Sequence, residues 1–330
     1  MAAIRFVDLF CGIGGFHLGA REACAAVGIE AQCVLACDID PACRLMYREN
    51  FGIEPLCDVR EIAAEAVPDH DILFAGFPCQ PFSIIGRMSG FEDTRGTLFF
   101  EIARILSAKR PRAIVLENVK MLVGHQRGRT LSKILDVLAS LGYHTTHRVL
   151  NALDFGLPQK RERLFIVGFT EPTVFSWPAG GTAMTPLRKI LERNVPMRYY
   201  ASPMIRRARR AWHEPDSEPT IWHENKSGNV SKYPYSCALR ANASYNYLLV
   251  DGMRRLTERE MLRLQGFPES YKITCSYAQV RKQAGNAVPV PVVREVVTQV
   301  LRAFENQWSL PQNRGASQYQ LVMEGACAHE

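Results

Sequence analysis

The chain has 330 residues, 47% of them hydrophobic and 22% charged, with a formal net charge of +7. This is a globular composition without a disorder signature, and a basic balance admits a polyanionic partner without requiring one. No run approaches the roughly 18 apolar residues of a membrane span, and "MAAIRFVDLF" lacks the features of a secretory leader, so a membrane role is not expected. The ten cysteines include no Cys-x-x-Cys pair, and Cys33 and Cys37 have no partners at zinc-finger spacing. Most of them read as free thiols of a reducing cytoplasm.

"IRFVDLF" (4–10) is the first strand candidate, followed by a helix over "FHLGAREACAAVG". "CVLACD" (33–38) is the second strand, and "PACRLMYREN" a helix with Pro41 in its first turn. "DILFAGF" (71–77) and "AIVLENV" (113–119) are continuous apolar runs of the kind seen in parallel strands covered on both faces. Helical segments "TLFFEIARILSAK" and "LSKILDVLASLG" lie between and after them, and "YHTTHRVLNA" and "RLFIVGF" are further strands that end the sheet. The alternation implies a doubly wound, mostly parallel α/β sheet.

The texture changes after about residue 170. Thr173 to Asp251 holds eleven Lys or Arg against six Asp or Glu, an excess of five, with Trp and Tyr interleaved. It includes "MIRRARRAW", in which Arg206, Arg207, Arg209 and Arg210 are candidates for nucleic-acid contact against the alternative of a solvated face. Thr257 with Glu260 three residues on forms a helix-capping pattern. A final apolar helix spans about 288–305. The expected organisation is residues 1–172 as one domain completed by 286–306, a smaller irregular domain over 173–285, and a polar tail from 307.

Three features carry chemistry. "DLFCGIGGFHLG" places glycines between a strand and a helix, where a nucleotide-like cofactor approaches backbone, and Asp38 closes the next strand where a ribose hydroxyl is held. A dehydrogenase fingerprint fails, because His17 stands at the third glycine position. Cys79, in "GFPCQPFS", sits between Pro78 and Pro81 on a turn stripped of two amide donors. Glu117 ends a buried strand, where a carboxylate is costly unless paired or functional. In open sheets ligands bind beyond the carboxyl ends of strands, so these features share one rim.

Together with "ENV", "QKRERLFIVG", "RRLTEREMLRLQGFP" and "QAGNAVPVPV", these blocks resemble, in order and over nearly the whole chain, the DNA cytosine-C5 methyltransferase family of bacterial restriction–modification systems. The resemblance implies a Rossmann-like fold using S-adenosylmethionine and no metal. Phe10, Gly12, Ile13, Gly15 and Pro78 would lie along the cofactor and Asp38 would hold its ribose. Asp58 and Val59 would flank the adenine, Ile39 stands where many relatives carry an aromatic, and Asn286 would close the methionine end. Cys79 would add to C6 of a flipped cytosine. Glu117 would act at N3 and the exocyclic amine, Arg163 at O2, and Arg161 near the thiol or a phosphate. Segment 83–96 resembles a mobile loop, with Ser83 and Arg95 as DNA contacts, and 173–285 a target-recognition region.

The resemblance further implies a cytoplasmic, nucleoid-associated monomer acting on a short double-stranded DNA sequence. A restriction endonuclease would be its partner without a stable complex. An RNA cytosine methyltransferase on the same scaffold is the alternative. A non-catalytic relative is disfavoured because Cys79, Glu117 and Arg163 are all present.

Overall fold

The computed structural model describes residues 3–78 and 98–309, with side chains to Glu305. In chain order the first half runs β1 (Ile4–Leu9), α1 (Gly15–Ala26), β2 (Ala31–Cys37), α2 (Pro41–Phe51), β3 (Ile72–Gly76), α3 (Leu98–Lys109), β4 (Ala113–Val119), α4 (Arg129–Ser140), β5 (His144–Asn151), β6 (Gln159–Lys160) and β7 (Glu162–Phe169). The continuous apolar runs are strands covered on both faces: Ile72 to Ala75 and Ala113 to Leu116 are fully buried.

Six strands form one sheet in the order β2-β1-β3-β4-β7-β5. β2, β1, β3 and β4 are mutually parallel, and β7 lies antiparallel between β4 and β5. The fold is therefore the expected doubly wound, mostly parallel sheet, with β7 as its reversed member. The reversal follows from connection length. Residues 152–161 join β5 to β7 without a crossover helix, and only a crossover returns a neighbouring strand parallel.

One face of the sheet packs Phe6, Phe74 and Val115 against α1 and against Val293, Val296 and Val300 of the last helix. The other face packs Val7, Leu73 and Leu116 against Ile102 and Leu106 of α3 and Ile134 and Leu138 of α4.

After β7 the elements shorten: α5 (Leu187–Ile190), α6 (Pro203–Arg210), β8 (Ile221–Glu224), β9 (Val230–Tyr233), β10 (Ser236–Cys237), β11 (Leu248–Val250), α7 (Glu258–Leu264) and α8 (Tyr277–Asn286), then the long α9 (Val290–Ser309). β8 is the centre of a three-stranded antiparallel sheet with β9 and β11. β10 instead pairs in parallel with β6, stitching this region to the strand that leads into β7.

A third core joins Ile13 and Met46 to Ile221, Leu248, Leu262, Leu264 and Val280, so the irregular region is packed against the glycine-rich turn and α2. The Thr257 capping box is formed, and Glu260 also accepts the Glu192 amide and pairs with both terminal nitrogens of buried Arg254. Among the described residues no helix is long and apolar enough to cross a membrane.

Candidate active site

A cleft of about 870 Å³ opens at the carboxyl ends of β1 to β4. Its floor at one end is the glycine-rich turn. Asp38, just past β2, accepts the Gly12 amide at 2.8 Å with one carboxylate oxygen and the Asp40 amide at 2.8 Å with the other. Burial raises the Asp38 pKa, and those two amides partly offset it. Gly12 has φ +53°, and a Cβ built there would meet nothing within 4 Å, so the backbone presents an open cradle to the cleft. A glycine cradle with a carboxylate one strand over suits a nucleoside-bearing cofactor.

Phe10, Gly12, Gly15, Asp38, Ile39, Pro78 and Asn286 all line this cleft. The structure does not bring three of the proposed cofactor residues to it. The Ile13 side chain is buried in the third core and its carbonyl accepts the Tyr271 hydroxyl at 2.7 Å. Val59 is buried beneath the sheet, and the Asp58 carboxylate is engaged by Arg60, which lowers its pKa. Both lie on a short 3-10 turn that Asp58 caps, and that turn points its apolar residue inward.

At the other end Glu117 and Arg163 are diagonal neighbours on the paired strands β4 and β7, with Glu117 Oε1 3.0 Å from Arg163 Nε. Burial raises the Glu117 pKa against the pull of Arg163 and Arg161, and burial likewise lowers that of Arg163. Glu117 thus keeps a proton to higher pH than an exposed carboxylate would, while a guanidinium fixes its rotamer. Asn118 donates to the Phe77 carbonyl at 2.8 Å, tying the end of β4 to the chain just before Pro78. Its signal in the sequence was a second polar residue beside Glu117 in an apolar strand. Cys79, Ser83 and Arg95 lie outside the described residues.

Arg161 lines the cleft as well, but its terminal nitrogens are engaged by backbone. It is 1% exposed, and its fork donates to the carbonyls of Leu239 at 3.1 Å, Gly285 at 3.0 Å and Ala287 at 2.8 Å. Burial, then the nearby Arg163, lowers its pKa to about 9.

The α6 arginines also divide. Arg209 is buried, 2.6 Å from Glu224 and bonded to the Asn246 carbonyl, so it is not available to DNA. Arg207 and Arg210 are exposed and Arg206 is half-buried. A helix turns about 100° per residue, so a run of arginines on one must send some inward. None of the four lines the cleft. Its third wall is instead Asn225 and Lys226, after β8, and the loop Arg240–Ser244. These short segments carry no periodic signal by which the sequence could have singled them out.

The model of the family described as C-5 cytosine-specific DNA methylase matches residues 4–302. The chain belongs to that family. It is 52% identical over 292 residues to the Type II methyltransferase M.NgoBI of Neisseria gonorrhoeae, covering 88% of this chain and 90% of that protein. It is 50% identical over 307 residues to the Type II methyltransferase M.HaeII of Haemophilus aegyptius, covering 92% and 95%. Among solved structures, DNMT2 of Spodoptera frugiperda superposes with a TM-score of 0.71 at 19% identity, over 91% of this chain and all of that one. S. pombe Dnmt2 gives 0.68 at 22%, over 91% and 99%. The structural likeness shows the fold, and the family shows the reaction: this DNA methylase transfers a methyl group to C5 of cytosine. The DNA reading therefore prevails over the RNA alternative.

Proposed function

We propose that the DNA methylase acts on a flipped cytosine held between Glu117 and Arg163, by covalent catalysis from Cys79, at one short double-stranded sequence. The observation that supports this most strongly is the buried Glu117–Arg163 pair opening into the same cleft as the glycine turn and Asp38. C5 of cytosine is a weak nucleophile inside a stacked base, so the base must leave the duplex. Glu117, its proton retained by burial, donates to N3 while Arg163 donates to O2. Electron density drawn to that edge makes C6 electrophilic, and the Cys79 thiolate adds there, leaving C5 enamine-like. After methylation the C5 proton is removed and Cys79 is expelled, which restores the ring.

S-adenosylmethionine, which would supply the methyl group, would be held by Phe10, Gly12, Gly15, Asp38, Ile39, Pro78 and Asn286. Residues 173–285 act as the target-recognition domain on a catalytic domain of 1–172 closed by 286–306. The enzyme works as a cytoplasmic monomer, and a cognate endonuclease shares its site without a stable complex. The test is base-resolution mapping of 5-methylcytosine in unmethylated genomic DNA incubated with the enzyme and cofactor. Methylation at one short motif supports the reading, and none at any motif refutes it. A duplex carrying 5-fluorocytosine in that motif must also trap a denaturation-resistant adduct in wild type and none in Cys79→Ala.

A further inference from the structure

Arg161 and Gln159 form a buried strap that crosses three segments of the chain. Gln159, also fully buried, donates to the Leu264 carbonyl at 2.8 Å and accepts the Leu239 amide at 2.9 Å. Arg161 takes the Leu239 carbonyl, so the two side chains hold both sides of that residue. The loop that follows Leu239, from Arg240 to Ser244, is a wall of the cleft that Glu117 also lines. It leaves Leu239 pressed onto α8, where a Cβ on Gly285 would fall 2.4 Å from the Ala241 amide nitrogen.

The other arm of Arg161 holds the carbonyls of Gly285 and Ala287, which bracket Asn286 at the cofactor end. Two residues on, Arg163 carries the pair with Glu117. A guanidinium is costly to bury unless its donors are met, and here three carbonyls from two distant segments take up its two terminal nitrogens. Both terminal nitrogens are thereby committed to backbone carbonyls, and only Nε is left without a partner among the described residues of the cleft lining. The fork fixes the distances between the recognition wall, the cofactor end and the strand bearing Arg163.

We infer that Arg161, seconded by Gln159, is a positioning residue that sets the width of the cleft, so that affinity for DNA and for cofactor both depend on it. The inference rests on the function proposed above. The experiment compares wild type with Arg161→Lys and Gln159→Met. It reads KM for the cognate duplex, KM for S-adenosylmethionine, the single-turnover methylation rate at saturation, and the melting temperature. A lysine keeps the charge but cannot span three carbonyls on two segments.

Arg161→Lys is expected to raise both KM values roughly tenfold or more, with the saturated rate within about threefold of wild type. Gln159→Met releases the Leu239 amide and the Leu264 carbonyl but neither carbonyl beside Asn286, and is expected to raise only the DNA KM. A saturated rate down roughly 100-fold with unchanged KM values would assign Arg161 to the chemistry and overturn the inference. A lower melting temperature with unchanged kinetics would overturn it as well, leaving a purely structural residue. If Arg161→Lys does not fold, an unchanged DNA KM in Gln159→Met overturns it alone. A wild-type enzyme that methylates no duplex refutes the function itself, a separate outcome.

Discussion

The sheet rim and the recognition region both hold side chains at one cleft, by different means. At the rim, apolar strands covered on both faces carry polar groups at their ends, and the Glu117–Arg163 pair is fixed by strand register. In the region after β7 the strands are two to four residues long, and polar side chains replace register. Arg209 is held by Glu224, Arg254 by Glu260, and Arg281 by the Ala243 carbonyl while stacking 4.3 Å over Tyr245. The sheet fixes its functional groups through register, whereas the recognition region adds charged pairs to its apolar core. Single substitutions should therefore act on chemistry at the rim and on folding or placement beyond it.

The contrast breaks most sharply at Glu117. Glu117→Gln should slow single-turnover methylation by roughly 100- to 10,000-fold while leaving duplex binding near wild type. Because burial raises the Glu117 pKa, the protonated form is lost as pH rises through that raised value. Wild-type rates should fall along that limb, and the variant should show no such limb in a pH–rate profile. In the recognition region Glu260→Ala should instead cost about 3–5 kcal/mol in denaturant unfolding, since it strands the buried Arg254 cation.

A smaller effect separates the arginines of α6. Arg207→Ala should lower the slope of log affinity against log salt by about one if it meets phosphate, with stability unchanged. Arg209→Ala should cost about 1–3 kcal/mol of stability, because it leaves Glu224 and a carbonyl without their donor. An Arg209→Ala variant of full stability would mean that buried ion pairs do not fasten this region.

A last test lies beneath the glycine turn. His17 stacks on Phe51 with ring centroids 4.0 Å apart, and burial holds its pKa down to about 3. The unfolded chain takes that proton near pH 6.5, so stability is present above that pH. It falls by up to about 1.4 kcal/mol per unit as pH drops toward 3. His17→Phe should flatten the difference in unfolding free energy between pH 7 and pH 5.

Much of the rim was legible because local patterns suffice there. The "LENV" run showed a carboxylate at a strand end, and the rule that ligands gather beyond the carboxyl ends brought Glu117 into one cleft with Asp38. "QKRER" was legible only in part. Residues two apart on an unbroken strand share a face, which would send Arg161 and Arg163 the same way. The pairing instead breaks between β6 and β7 at Arg161, and its side chain crosses to other segments. The loop Arg240–Ser244 was illegible, since neither period nor composition marks it.

The sequence by itself determined the alternation of strands and helices, the burial of both sheet faces, and the placing of Asp38, Glu117 and Arg163 at strand ends. These follow from periodicity and from the expense of burying charge, which are properties of neighbouring residues. Only the tertiary structure decided that Arg161 and Arg209 turn inward, that β7 runs backward, and which loops wall the cleft. A buried guanidinium needs acceptors, and those of Arg161 lie 78, 124 and 126 residues away along the chain. No local pattern records a partner at that distance, so the fold has to bring it there.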